Sequence, residues 1–237
     1  MTPQVQGVKE AYDEHFVLDN KLTLEWYPQR VAELSAGASM LELGLGHGYS
    51  TSYFARRFKP YVVIEGSPEM IARFRARFAI SDVQIEQGYF EDFTTDRRFH
   101  NIVMGFVLEH VDDPAEVLSR YRELLVPGGS VFVAVPNAES LHRRFGHAAG
   151  LLSDITALSQ ADLDFGHRRY FTVRTLSQLV EASGYSIQKT EGLFLKPITT
   201  QQICDLRLPQ ATLQAMMIVG VDYPELCNSI LMQLRPA

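Results

Sequence analysis

One stretch of this chain restricts its fold more than any other. From Ser39 to Leu43 the sequence reads as a short apolar strand that runs straight into Gly44, Gly46 and Gly48. A helix-like segment over Tyr49–Phe58 follows, and then a second apolar run, Tyr61–Ile64, that stops at Glu65. Glycines at alternate positions let the backbone turn sharply and leave no side chain between it and whatever it faces. Strand, glycine turn, helix and strand make the opening unit of a parallel α/β sheet.

The rest of the chain keeps the same alternation. Ser67-Pro68-Glu69 reads as a helix cap with proline at the first helical position, and the helix beyond carries Met70, Ile71, Phe74 and Phe78 on one face. Strands are predicted at Val83–Glu86, Asn101–Phe106 and Ser130–Val135. Between the last two, Asp113-Pro114-Ala115-Glu116 resembles a capping box; its helix carries Val117, Leu118, Tyr121, Leu124 and Leu125 and ends at Pro127-Gly128-Gly129. Further on come helices over Glu139–Ala149, Val173–Ser183 and Pro209–Gly220, and strands over Tyr185–Glu191 and Asn228–Leu234. A helix over Lys21–Leu34 precedes them all, with Trp26 and Tyr27 packing inward. No repeat or linker interrupts the chain. The 237 residues therefore read as one domain.

In open parallel sheets, ligands bind at the carboxyl ends of the strands, where this glycine turn lies. Glu65, closing the second strand, is placed to accept both ribose hydroxyls of a nucleoside. Two ligand classes share that logic. A dinucleotide site wants G-x-G-x-x-G, with the pyrophosphate at the helix N-terminus. Here the spacing is G-x-G-x-G, Tyr49 stands where the third glycine would be, and Glu42 brings a carboxylate toward the loop. That suits a cofactor bearing an ammonium and a sulfonium better than a pyrophosphate, although a glycine turn that merely joins strand to helix stays open.

Several function classes fall away on bulk properties. A formal net charge of −6 disfavours a nucleic-acid substrate. No apolar run reaches the roughly 18 residues of a membrane span, and the first residues lack a signal-peptide pattern. Only two cysteines occur, so a cytoplasmic location and no membrane partner are expected. Neither H-x-x-x-H nor C-x-x-C spacing is present, which predicts no metal site, and no G-x-S-x-G suggests a covalent hydrolase.

The motifs LELGLGHG, IEGSPEM, QGYFEDF, FVLEHVDDP and ELLVPGGSVFVAVPN follow one another in the order and spacing of class I S-adenosylmethionine-dependent methyltransferases, which the chain resembles well over residues 38–136. FGHRRYFTVRTLSQLVEASGY extends the likeness moderately. The most similar branch acts on small molecules and includes the ubiquinone-biosynthesis O-methyltransferases. The resemblance implies a doubly wound, Rossmann-like seven-stranded sheet, mostly parallel with the last strand antiparallel. It implies S-adenosyl-L-methionine as cofactor and S-adenosyl-L-homocysteine as product. It divides the chain into N-terminal lid and helices (1–36), cofactor-binding core (38–136), substrate-covering insertion (137–171) and the rest of the sheet (172–237). Carried over by position, Gly44, Gly46 and Gly48 line the methionine and ribose, Glu42 anchors the loop and approaches the amino group, and Glu65 takes the ribose. Ser67-Pro68 borders the adenine, and Gly66 is a further cofactor contact. The usual acid near the adenine amine is replaced by Tyr89, flanked by Phe90 and Glu91, so ring packing stands in for a side-chain bond there. Phe106 runs beneath the methionine, and Tyr12 belongs to a lid. His47 faces solvent on this reading.

On the acceptor side, His110, His142 and His167 are candidate general bases. Glu109 and His110 serve equally well, on sequence, as a cap of the next helix. His142, Arg168, Arg169 and Tyr170 are candidate substrate contacts, because arginine pairs bidentately with phosphate or carboxylate; a salt-bridged turn explains the arginines as well. The reading is therefore methyl transfer to a small molecule, as O-methylation of a saccharide or secondary-metabolism intermediate that carries an anionic group. A homodimer stays open. The alternatives are a catalytically silent S-adenosylmethionine-binding partner protein and an NAD(P)-dependent oxidoreductase.

Overall fold

The computed structural model describes residues 17–78, 80 and 83–237; Tyr12 lies outside them. In chain order the elements are α1 (Val17–Leu34), β1 (Met40–Leu43), α2 (Tyr49–Phe54), β2 (Tyr61–Glu65), α3 (Pro68–Arg77), β3 (Gln84–Gln87), β4 (Phe99–Gly105) and α4 (Pro114–Arg122). They continue with β5 (Leu125–Pro136), α5 (Leu141–Ala148), α6 (Gln160–Asp164), α7 (Val173–Ala182), β6 (Tyr185–Leu193), α8 (Thr200–Leu206), α9 (Gln210–Gly220) and β7 (Ser229–Pro236). The seven strands form one sheet in the order β3-β2-β1-β4-β5-β7-β6. β7 runs antiparallel to both of its neighbours; every other pairing is parallel.

Strand side chains alternate between faces with period two. Along β5, Val131, Val133 and Val135 enter one core with Val117, Leu118 and Tyr121 of α4 and Leu176 and Val180 of α7. Phe132 and Ala134 enter the other core, with Tyr27 and Val31 of α1, Phe54 of α2 and Phe74 of α3. Both faces are covered, which is why these strands read as continuous apolar runs rather than alternating ones. Strand order reverses at β1, since β2 and β4 lie on either side of it, and a crevice opens above that switch point.

Local chemistry sets the helix starts. Ser67 caps α3 by accepting from Met70 N at 3.3 Å, and Asp113 caps α4 by accepting from Ala115 N and Glu116 N at 2.9 and 3.0 Å. α4 nevertheless ends earlier than its apolar spacing predicts. Leu125 belongs to β5, where it pairs with Phe99, and the next ladder pair is Asn101 with Ser130, so Val126–Gly129 bulges out instead of ending the helix. Two short helices, α6 and α8, were not expected. Each starts at a capping box that is present in the sequence, Ser159 with Asp162 and Thr199 with Gln202.

Candidate active site

The crevice is a cavity of about 1010 Å³, at the top of the range for small-molecule sites. Its walls come from the loops that follow the carboxyl ends of β1, β2, β3, β4, β5 and β6, together with one face of α1 and the segment around α6. Those loops share an edge because the six strands run in one direction. Two non-glycine residues there hold left-handed backbone, Phe106 (φ 59°) after β4 and Phe194 (φ 64°) after β6. Strain of this kind persists where the surroundings over-determine it.

One end is built around the glycine turn. Gly44 and Gly46 line the cavity with φ of 80° and 46°, a region that side chains rarely adopt, and a Cβ on Gly46 would meet nothing within 4 Å. The Glu65 carboxylate is held by two backbone N–H groups, Leu45 N at 3.0 Å and Ser67 N at 2.8 Å. A carboxylate has about four acceptor sites, so lone pairs remain for a ligand. Ser67, Tyr89, Phe90 and Phe106 also line this end. His47 does too, stacked beside Tyr49, rather than facing only solvent.

Four expected cofactor contacts lie outside the wall. Gly48 caps α2 at φ 78°, and a Cβ there would sit 2.7 Å from the Phe74 ring, so its glycine serves helix packing. Gly66 lies beneath the Tyr89 ring, 3.2 Å from where its Cβ would be. Glu91 does not reach the cavity. Glu42 is buried beneath the turn: Thr51 Oγ1 donates to it at 2.7 Å, and the hydroxyls of Tyr61, Ser50 and Tyr27 complete its shell. It anchors the turn but does not approach the cavity. Burial pushes its carboxyl up to about 7, against those hydrogen bonds.

The other end is chemically different. Glu109, His110 and His167 line it, and one ligand-type atom from each lies within 4.8 Å of the others. Residue spacing missed this trio because it joins two loops. Glu109 is completely buried, and neither carboxylate oxygen has a hydrogen-bond partner; such a loss costs roughly 1–3 kcal/mol or more. Desolvation raises its carboxyl to about 7. Since Asp113 caps α4, Glu109 and His110 do not. Burial, helped by the nearby His167, lowers His110 to about 4, and its Nδ1 lies 3.3 Å from Gly166 O. His167 Nδ1 lies 3.3 Å from Asp162 Oδ1, which also accepts from the Tyr170 hydroxyl at 2.9 Å.

His142 lines the cavity farther out, bonded through Nδ1 to Ser140 Oγ at 3.1 Å; burial, with Lys196 and Arg143 nearby, lowers it to about 3. Beside it Lys196, only 4% exposed, donates to Asp19 Oδ2 and to Thr200, while Asp19 Oδ1 and Thr23 Oγ1 are buried without partners. Nothing in the local sequence around Asp19, Thr23 or Lys196 signals a site. Asp162 had one signal, its capping box with Ser159.

The arginines do not stand ready for an anion. Arg169 lies outside the wall and donates to Leu108 O, Val111 O and Asp112 O at 3.1, 2.6 and 3.1 Å, so it brackets the loop after β4 and the expected substrate contact is corrected. Arg168 pairs with Asp112, and Arg143 binds Ile155 O and Ala157 O while covering the Tyr170 ring.

Comparison with known proteins agrees with this architecture. The methyltransferase-domain family matches residues 16–190. A probable S-adenosylmethionine-dependent methyltransferase of Mycolicibacterium smegmatis is 28% identical over 70% of this chain, which spans 59% of that protein. A ubiquinone biosynthesis O-methyltransferase of Aeromonas salmonicida is 26% identical, over 77% of this chain and 76% of its own. Among solved structures, the N-methyltransferase NodS of Bradyrhizobium japonicum, in complex with S-adenosyl-L-homocysteine, superposes with a TM-score of 0.62 at 15% identity, covering 99% of both chains.

Proposed function

The chain belongs to the methyltransferase-domain family and is a class I S-adenosylmethionine-dependent methyltransferase; from that premise we propose that it methylates a small molecule seated against Glu109, His110 and His167. The observation that carries the proposal is a single cavity that spans both ends, from Glu65 to Glu109. S-adenosyl-L-methionine supplies an activated methyl group on sulfonium, and Gly44, Gly46, Glu65, Ser67, Tyr89, Phe90 and Phe106 are the residues that fit it. The left-handed glycines leave room for a ligand at the turn, and the pinned carboxylate offers lone pairs to a ribose diol.

For such chemistry alignment and exclusion of water contribute most, up to roughly 7–11 kcal/mol of the barrier. Segment 137–171 is read as the cover over the acceptor, because it supplies His142, Asp162 and His167 to the wall. A base adds on the order of 10²–10⁴-fold; Glu109, His110 and His167 are the candidates gathered in one place. O-methylation has the ubiquinone-biosynthesis O-methyltransferase name of a relative behind it, and the saccharide or secondary-metabolism acceptor has nothing in the cavity chemistry. The anionic group expected of the acceptor loses its support, since the guanidinium groups are committed to carbonyls and to Asp112.

The test is calorimetry with S-adenosyl-L-homocysteine, followed by transfer of tritiated methyl from the cofactor into a small-molecule extract. Binding with label in small products is the expected result. Absence of binding overturns the proposal.

A further inference from the structure

Resting on the methyltransferase reading above, we propose that the acceptor atom is an amine nitrogen, held by Glu109 and His110. Glu109 and His110 offer lone pairs at this end of the cavity wall. Glu109 is a buried carboxyl with both oxygens unpartnered. Gly166 O can only accept, so the His110 contact at 3.3 Å puts the ring proton on Nδ1 and leaves Nε2 as an acceptor. His167 stands beside them, its Nδ1 3.3 Å from Asp162 Oδ1. The two Glu109 oxygens and His110 Nε2 together call for a ligand group with several N–H bonds. A hydroxyl has one hydrogen to give, whereas an ammonium has three.

The cationic side chains around this end have partners of their own. Lys196 is committed to Asp19, Arg168 to Asp112 and Arg143 to carbonyls, and Arg73 at the donor end is not free either. Asp19 Oδ1 adds another buried acceptor farther out.

The chemistry balances with these residues. The acceptor arrives as an ammonium and gives one proton to the Glu109 carboxylate. The freed lone pair forms a bond to the methyl carbon as the carbon–sulfur bond breaks, and that bond's electron pair stays on sulfur. The product is an N-methylammonium, and Glu109 returns its proton to solvent. A carboxyl lifted by burial to about 7, with His167 and Arg169 opposing the shift, is a base suited to neutral pH.

The experiment uses the whole protein, tritiated-methyl cofactor and a small-molecule extract divided in two, with amines blocked by acetylation in one half. Incorporation at least tenfold lower in the blocked half, with label on nitrogen by mass spectrometry, is expected. Glu109→Gln should lower incorporation about 100-fold or more, while S-adenosyl-L-homocysteine affinity stays within about twofold of the parent. Equal incorporation in both halves, label on oxygen or carbon, or no label at all overturns the amine. Incorporation that chelator abolishes and zinc or magnesium alone restores overturns it in favour of a metal. Loss of S-adenosyl-L-homocysteine binding by the parent protein is a different failure, that of the methyltransferase reading itself.

Discussion

The two ends of the cavity are built on opposite terms. At the donor end Glu65 is held by the N–H groups of Leu45 and Ser67, and beneath it Glu42 is enclosed by four hydroxyls. At the acceptor end Glu109, Asp19 and Thr23 keep buried oxygens with no partner. A site for an invariant ligand can satisfy its own polar groups and still offer spare lone pairs. A site for a particular acceptor leaves groups unsatisfied until that acceptor arrives, and discriminates because a wrong ligand leaves them so. On the proposed reading, the difference places specificity in the loops after β4 and β6 and in α1 rather than at the glycine turn.

Gly46→Val breaks the donor end most severely. A branched side chain would stand in the open space above a φ of 46°, and calorimetry should find binding of S-adenosyl-L-homocysteine abolished. Glu65→Ala should cost roughly 1.5–3 kcal/mol of that binding through lost charge-assisted bonds; unchanged affinity removes Glu65 from the site. Arg169→Ala acts on the frame. Losing the bracket on three carbonyls should cost roughly 1–3 kcal/mol of stability, lowering the melting temperature by several degrees, with cofactor affinity nearly intact. Should affinity fall instead, the Arg169 bracket supports the donor end as well and the division between the ends is wrong.

The smallest effect is in pH dependence. Glu109 is lifted from its ordinary value of 4.5 to about 7. A raised folded-state value contributes stability that is complete below 4.5 and is lost as pH rises through 7. Glutamine has no such titration. Relative to the parent, Glu109→Gln should therefore gain melting temperature between pH 5 and pH 8. A constant difference would mean that Glu109 is not buried as a lone carboxyl.

Much of this molecule was legible from the chain itself. Ser39–Glu65 carries its strand, glycine turn, helix and closing acid within 27 positions, and each feature is a local matter of dihedrals, apolar runs and caps. Even α6 and α8 had their capping boxes written out, at Ser159 and Thr199. Spacing misled where two explanations shared one pattern: Leu124 and Leu125 continue a helical face, but pairing of Leu125 with Phe99 draws the chain into β5.

The sequence alone determined the fold class and the cofactor, and it put glycines and an acid at the ends of β1 and β2, where short-range geometry decides the turn. Tertiary structure decided the acceptor end. Lys196 meets Asp19 across 177 positions, and Glu109 meets His167 only because β4 and the segment around α6 converge over the sheet. It also decided what the arginines do. A guanidinium will bind phosphate, carboxylate or backbone carbonyl alike, and Arg169 found three carbonyls of the loop after β4 within reach.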